Sequence, residues 1–162
     1  MQTQIITFFI LASLLISCQS KKTVFETDKT EPKDTAFDSG LAEKLGADEY
    51  GMKAYVFAFL KSGPTRSKDP DESAKLMRAH LDNITRLAEE EKLVLAGPFM
   101  DDGEVRGIYI FDTNSIEKAK EWTNTDPAIK SGHLIMELKP WYGSAVLGLV
   151  NKYHKKVQSK DI

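Results

Sequence analysis

The stretch LMRAHLDNITRLAEEEK, Leu76 to Lys92, places a histidine where a helix would turn apolar side chains to a core. Its stripe of Leu76, Met77, Leu81, Ile84, Leu87 and Ala88 recurs three and four apart, and His80 lies inside it. An imidazole titrates near neutrality, so it can take and return a proton at physiological pH. A carboxylate bonded to one ring nitrogen fixes the tautomer and leaves the other nitrogen for that work. Asp126, in DPAIKSG, has two readings: such a carboxylate, or the N-cap of a one-turn helix opening at Pro127. Arg66, in GPTR, is either a fixed charge for an anionic substrate or oxyanion, or a solvated loop residue. Trp141 and Tyr142, in KPWYG, are a flat apolar wall with polar tips or plugs at a strand end. Gly97-Pro98 is strand-end punctuation.

Other chemistries find less support. His133 and His154 have no metal-ligand spacing with His80, and Cys18 is the one cysteine, so no metal site is expected. The G-x-S-x-G of serine hydrolases is absent, as is a glycine-rich phosphate loop. No metal or organic cofactor is called for. A net charge of -2 argues against nucleic acid as partner, because a phosphate-binding face needs a basic surplus.

The elements that must position these residues follow in the order strand, helix, strand, strand, helix, strand. KAYVFAFLK (Lys53 to Lys61) is apolar on both faces, with Tyr55, Phe57 and Phe59 on one. The first helix opens with Asp69 as N-cap, Pro70 next and Glu72 placed for a capping box. Leu93 to Phe99 and Glu104 to Asp112 flank an Asp102-Gly103 hairpin signal, and the earlier strand should end or bulge at Pro98. A second helix starts at Asn114 or Ser115, with Glu117 placed to complete a box, and His133 to Pro140 is the last strand. Such an order is the ferredoxin-like βαββαβ arrangement, an antiparallel sheet with both helices on one face. The uncovered apolar face then needs a cover. The economical solution is a second copy packed sheet to sheet, so a homodimer is expected; the C-terminal YGSAVLGLVNKYHKK folding back over the sheet is a second possibility, and the two are not exclusive.

The N-terminus has a different character. Ile5 to Ser17 is apolar but too short to span a bilayer comfortably, and it reads as a signal-peptide core. It ends in LISC, Leu15 to Cys18, which resembles the bacterial lipobox; Met1 to Ile5 lacks the usual basic residues. Such a signal is cut before the cysteine, whose thiol and new amino group are acylated, and several acyl chains anchor a protein stably. The expected organisation is a signal peptide over 1–17, a flexible tether over 18–51, a folded domain over 52–143 and a C-terminal extension over 144–162. The tether composition, rich in Lys, Asp, Glu and Thr, buries too little to offset its ordering entropy, and roughly 30 such residues reach about 30 Å.

YVFAFLKSGPTR, HLDNITRLAEEEKLVLAGPFMDDGEVRGIYIFD and AKEWTNTDPAIKSGHLIMELKPWYG together resemble the YciI-like family, over about Lys53 to Gly143. That resemblance implies a dimeric α+β barrel of ferredoxin-like subunits and an active site built from His80 and Asp126. It also implies acid-base chemistry of a lyase or hydrolase type, since the family includes a dehydrochlorinase acting on a hydroxylated aromatic ring. Arg66, Gly97, Pro98, Trp141 and Tyr142 are then the candidate substrate-binding residues for a small organic molecule. The alternative is a non-catalytic ligand-binding or accessory lipoprotein of the bacterial envelope. Typical members are soluble and intracellular, so the lipobox and tether set this chain apart.

Overall fold

The computed structural model describes residues 36–65 and 67–160. The expected signal segment, Cys18 and Arg66 lie outside the described residues. Strand β1 (Met52–Ser62) alternates strictly, with Val56, Ala58 and Leu60 on one face and Tyr55, Phe57 and Phe59 on the other. Helix α2 (Pro70–Glu89) follows, then β2 (Leu93–Pro98), β3 (Val105–Phe111), helix α3 (Ile116–Thr123), the short α4 (Pro127–Lys130) and β4 (Leu134–Ser144). The four strands are antiparallel in the order β2-β3-β1-β4, which is the α+β, ferredoxin-like βαββαβ arrangement. Val56, Ala58 and Leu60 pack with Leu87, Leu93, Tyr109, Phe111 and Ala119 to form the core beneath the helices. Leu87 has no exposed surface, a burial that stabilises by about 1.5–3 kcal/mol.

Local signals set the helix starts. Asp69 caps α2 by accepting from the Asp71 N–H at 2.9 Å, with Pro70 in the first position, where no N–H is needed. The expected capping box is altered: Glu72 accepts from the Ser67 hydroxyl, and Ser67 Oγ accepts from the Asp69 N–H at 3.1 Å. A hydroxyl both donates and accepts, so Ser67 relays the carboxylate to the cap. Ser115 caps α3 by accepting from the Lys118 N–H, and Glu117 bonds the Ser115 hydroxyl at 2.9 Å. Strand β2 ends at Pro98 as its missing N–H requires.

The folded region begins before the expected residue 52. Helix α1 (Ser39–Leu45) is capped by Asp38 and closed by Gly46 in the left-handed region at φ 66°. Asp48 Oδ1 then accepts from the N–H groups of Tyr50 and Met52, at 2.9 and 3.0 Å, leading the chain into β1. Polar composition suggested a tether, but the two caps and the Asp48 turn satisfy this backbone locally. Strand β4 also outruns its expected end at Pro140. It is an edge strand paired to β1 alone, so Pro140 breaks no ladder.

Beyond β4, a 3₁₀ turn (Ala145–Leu149) and helix α5 (Val150–Val157) fold back onto the sheet face opposite α2 and α3. Leu147 packs on Tyr55, Val94 and Ile110, and Asn151 Nδ2 donates to the Leu93 carbonyl at 2.7 Å. The rest of that face carries Phe57 against Phe59, ring centroids 4.8 Å apart, and Phe57 against Trp141 at 5.8 Å. Met100, at the β2–β3 turn, is 98 % exposed. A hollow of about 680 Å³ there is lined by Phe59, Phe99, Met100 and Val105. Among the described residues, no helix is long and apolar enough to cross a membrane.

Candidate active site

Helix α2 packs against β2 and α4, and this brings His80, near its middle, above Tyr109 of β3. From the other side, the end of α3 turns into α4 through Thr125 and Asp126. The Asp126 N–H donates to the Thr123 carbonyl at 3.0 Å. Pro127 opens α4, and Gly132 at φ 73° closes it, with the His133 N–H donating to the Ala128 carbonyl at 2.9 Å. Asp126 is 0 % exposed and His80 8 % exposed.

The two oxygens of Asp126 make different bonds. Oδ1 accepts from the Ala128 N–H at 2.8 Å, the N-cap bond, and Oδ2 lies 2.6 Å from His80 Nδ1. An ionised carboxylate only accepts, so Nδ1 carries the proton in this bond. In a neutral ring that leaves Nε2 as the acceptor. The Tyr109 hydroxyl stands 3.4 Å from Nε2, a long contact that leaves the nitrogen weakly engaged. The two rings stack with planes 17° apart and centroids at 6.3 Å. Burial first, and then the charge of Asp126, push the Tyr109 hydroxyl well above the usual tyrosine range, so it stays protonated and faces Nε2 as a donor.

The other sequence candidates are placed differently. The loop before Arg66 is fastened to the α4–β4 connection: the Gly63 N–H donates to the His133 carbonyl at 2.8 Å and that of Thr65 to the Gly132 carbonyl at 3.1 Å. Gly97 and Pro98 lie where β2 and β3 come close; a Cβ at Gly107 would sit 2.6 Å from the Gly97 carbonyl. Ala96, next to them, pairs with Tyr109. Trp141 lies across the sheet from His80. It pairs with Tyr55 and packs on Tyr55 and Phe57, on the face that alternation turns away from the helices. The Tyr142 hydroxyl donates to Asp48 near the start of β1. That bond lowers the Asp48 carboxyl below its ordinary range and raises Tyr142 above its own. Neither the hollow beside Phe99 nor a second of about 550 Å³, between Ile116, Ile129 and Met136, is lined by His80 or Asp126.

Sequence reasoning missed Tyr109, Asn83, Thr125 and Arg86. Tyr109 was findable, because alternation along β3 puts Gly107, Tyr109 and Phe111 on the helix face, where a polar tip needs a partner. The other three meet only through the packing of α2 against the α3–α4 junction.

The YCII-related domain matches the chain over residues 55–142. The uncharacterized protein YjpA of Bacillus subtilis (strain 168) is 34 % identical over 62 residues, which is 38 % of this chain and 71 % of YjpA. Among solved structures, the chain is similar to 5-chloro-2-hydroxyhydroquinone dehydrochlorinase (TftG) from Burkholderia phenoliruptrix AC1100, in complex with 2,5-dihydroxybenzoquinone. That likeness has a TM-score of 0.41 and 18 % identity, over 53 % of this chain and 92 % of that one.

Proposed function

This chain belongs to the family of YCII-related domains, and we propose that it is a small-molecule enzyme in which His80 moves the proton and Asp126 holds His80. The reading rests on one observation: a fully buried carboxylate, its other oxygen already tied to a backbone N–H, sits 2.6 Å from the imidazole. His80 Nε2 takes a proton from the substrate, Asp126 stabilises the imidazolium that forms, and the proton is returned to a leaving group. Elimination or hydrolysis of a small organic compound, a lyase or hydrolase reaction, fits that cycle and calls for no metal or cofactor. Arg66 would supply the positive charge for an anionic substrate. Testing needs a panel of small organic acids and hydroxylated aromatic compounds, incubated with the unaltered protein and with His80→Ala. Turnover that disappears in the variant is expected; an identified substrate converted at an unchanged rate would overturn the assignment.

A second reading is favoured by the small exposure of His80 and by the two hollows that omit it. Here the chain is a non-catalytic ligand-binding or accessory module of the envelope, and the pair only binds or packs. A ligand from the same panel that binds tightly and leaves unchanged would select this reading.

Two further parts of the proposal concern assembly. The outer sheet face left bare around Phe57, Phe59 and Trp141 fits a homodimer packed sheet to sheet. Sedimentation equilibrium with Phe59→Glu checks it, a monomer being expected from the variant. The apolar Ile5 to Ser17 followed by Cys18 supports export and a lipid anchor. Mass spectrometry of the membrane fraction should find cleavage before Cys18 with acyl chains attached.

A further inference from the structure

Helix α2 is joined to the Asp126 segment by more than the His80 bond. One turn beyond His80, Asn83 is buried, and its Oδ1 accepts from the Thr125 hydroxyl at 2.9 Å and from Arg86 Nη2 at 2.8 Å. The same Nη2 donates to Thr125 Oγ1 at 2.8 Å, closing a triangle, while Nη1 is held by Glu90 at 2.7 Å. The single Thr125 hydroxyl proton is shared between Asn83 Oδ1 and the Trp122 carbonyl, 2.6 Å away, which ties the triangle to the end of α3. Thr125 directly precedes Asp126, and adjacent Cα atoms are fixed at about 3.8 Å by a trans peptide.

The Asn83 amide shows which group dominates. Its Nδ2 is buried and has no hydrogen-bond partner among the described residues. Turning the amide over would set that NH₂ against the guanidinium of Arg86, donor against donor. Arg86 therefore fixes the orientation of Asn83, and an unpartnered donor is tolerated in return. A lysine lacks the planar fork that sets Nη2 on Asn83 and Thr125 while Nη1 holds Glu90.

We propose that Arg86, Asn83 and Thr125 are positioning residues that hold Asp126 at hydrogen-bond distance from His80. This rests on the reading of His80 and Asp126 as a working pair. The triangle fixes the distance between α2 and the α3–α4 junction, and His80 and Asp126 lie on its two sides. Loosening it lets the carboxylate drift while the Ala128 cap persists, so Oδ2 leaves the imidazole before Oδ1 leaves the backbone.

Imidazole NMR on the full ¹⁵N-labelled chain tests this through the chemical shift of the His80 Nδ1 proton, a signature that an ordinary loss of stability in a folded sample does not move, with exchange as the accompanying readout. Thr125→Val removes the hydroxyl at nearly constant shape, Arg86→Met removes the fork, and Thr125→Ser keeps the oxygen. In Thr125→Val and Arg86→Met the Nδ1 proton should exchange with water faster by about tenfold or more, and its shift should move upfield, away from that of a proton held by a carboxylate. Thr125→Ser should match the unaltered protein. The proposal is overturned if Thr125→Val leaves shift and exchange unchanged while Asp126→Asn abolishes the Nδ1 proton signal; the pair itself then survives. If Asp126→Asn also changes nothing, the pair and the network fall together.

Discussion

Replacing Asp126 separates its two bonds. Asp126→Ala removes the charge-assisted hydrogen bond to His80 Nδ1, worth about 1.5–3 kcal/mol, and the cap on Ala128, worth about 1 kcal/mol. It also leaves a buried imidazole N–H without an acceptor, so the total loss should be about 3–5 kcal/mol. Asp126→Asn behaves differently. Its one oxygen can keep the cap only if its NH₂ faces His80, and the ring can accept from that NH₂ only by moving its own proton to Nε2. The cap and a neutral bond then survive, and the loss falls to about 1–2 kcal/mol. Urea unfolding of both variants gives the two numbers. A cycle with His80→Ala isolates the coupling, which should be about 1.5–3 kcal/mol. A coupling near zero, or an alanine variant that loses less than about 1 kcal/mol, would refute the reasoning.

Tyr55 gives an alkaline test. Burial, with a smaller push from Asp112, raises its hydroxyl from 10 to about 12, so the folded state resists its ionisation. The associated stability is fully present below pH 10 and is lost as pH rises toward 12; Tyr55→Phe should flatten that fall in urea titrations. Gly143→Ala would put a Cβ 2.1 Å from the Trp141 ring, so the indole must leave Tyr55 and Phe57, at a cost of about 1–3 kcal/mol. Near-ultraviolet circular dichroism in a Trp122→Phe background would show the displaced ring. At Gly107→Ala the obstacle is the Gly97 carbonyl at 2.6 Å, which cannot swing aside. Opening β2 from β3 should cost at least about 1–3 kcal/mol by denaturation.

The strands and both long helices were legible because alternation, caps and turn residues agreed, as at Asp69-Pro70 and at Pro98. Helix α1 was not, since its polar composition outweighed in the reading the cap signals of Asp38 and Gly46. Composition measures what a segment can bury alone, not what its backbone can satisfy locally. At the site, the helix stripe singled out His80, and family resemblance supplied Asp126. Spacing alone could not pair residues 46 positions apart. Nor did it show that one carboxylate would cap and pair at once. Trp141 and its strand neighbour Tyr142 have opposite parity, so the two face opposite sides of the sheet.

In a neutral His80 ring, the Asp126 carboxylate keeps the proton on Nδ1 and leaves Nε2 as the acceptor. Imidazole ¹⁵N chemical shifts of the full chain at neutral pH read this tautomer directly. Nδ1 should carry the proton and Nε2 should show the shift of an acceptor nitrogen, with the pattern reversed in Asp126→Asn. A neutral His80 protonated at Nε2 in the unaltered protein would contradict it.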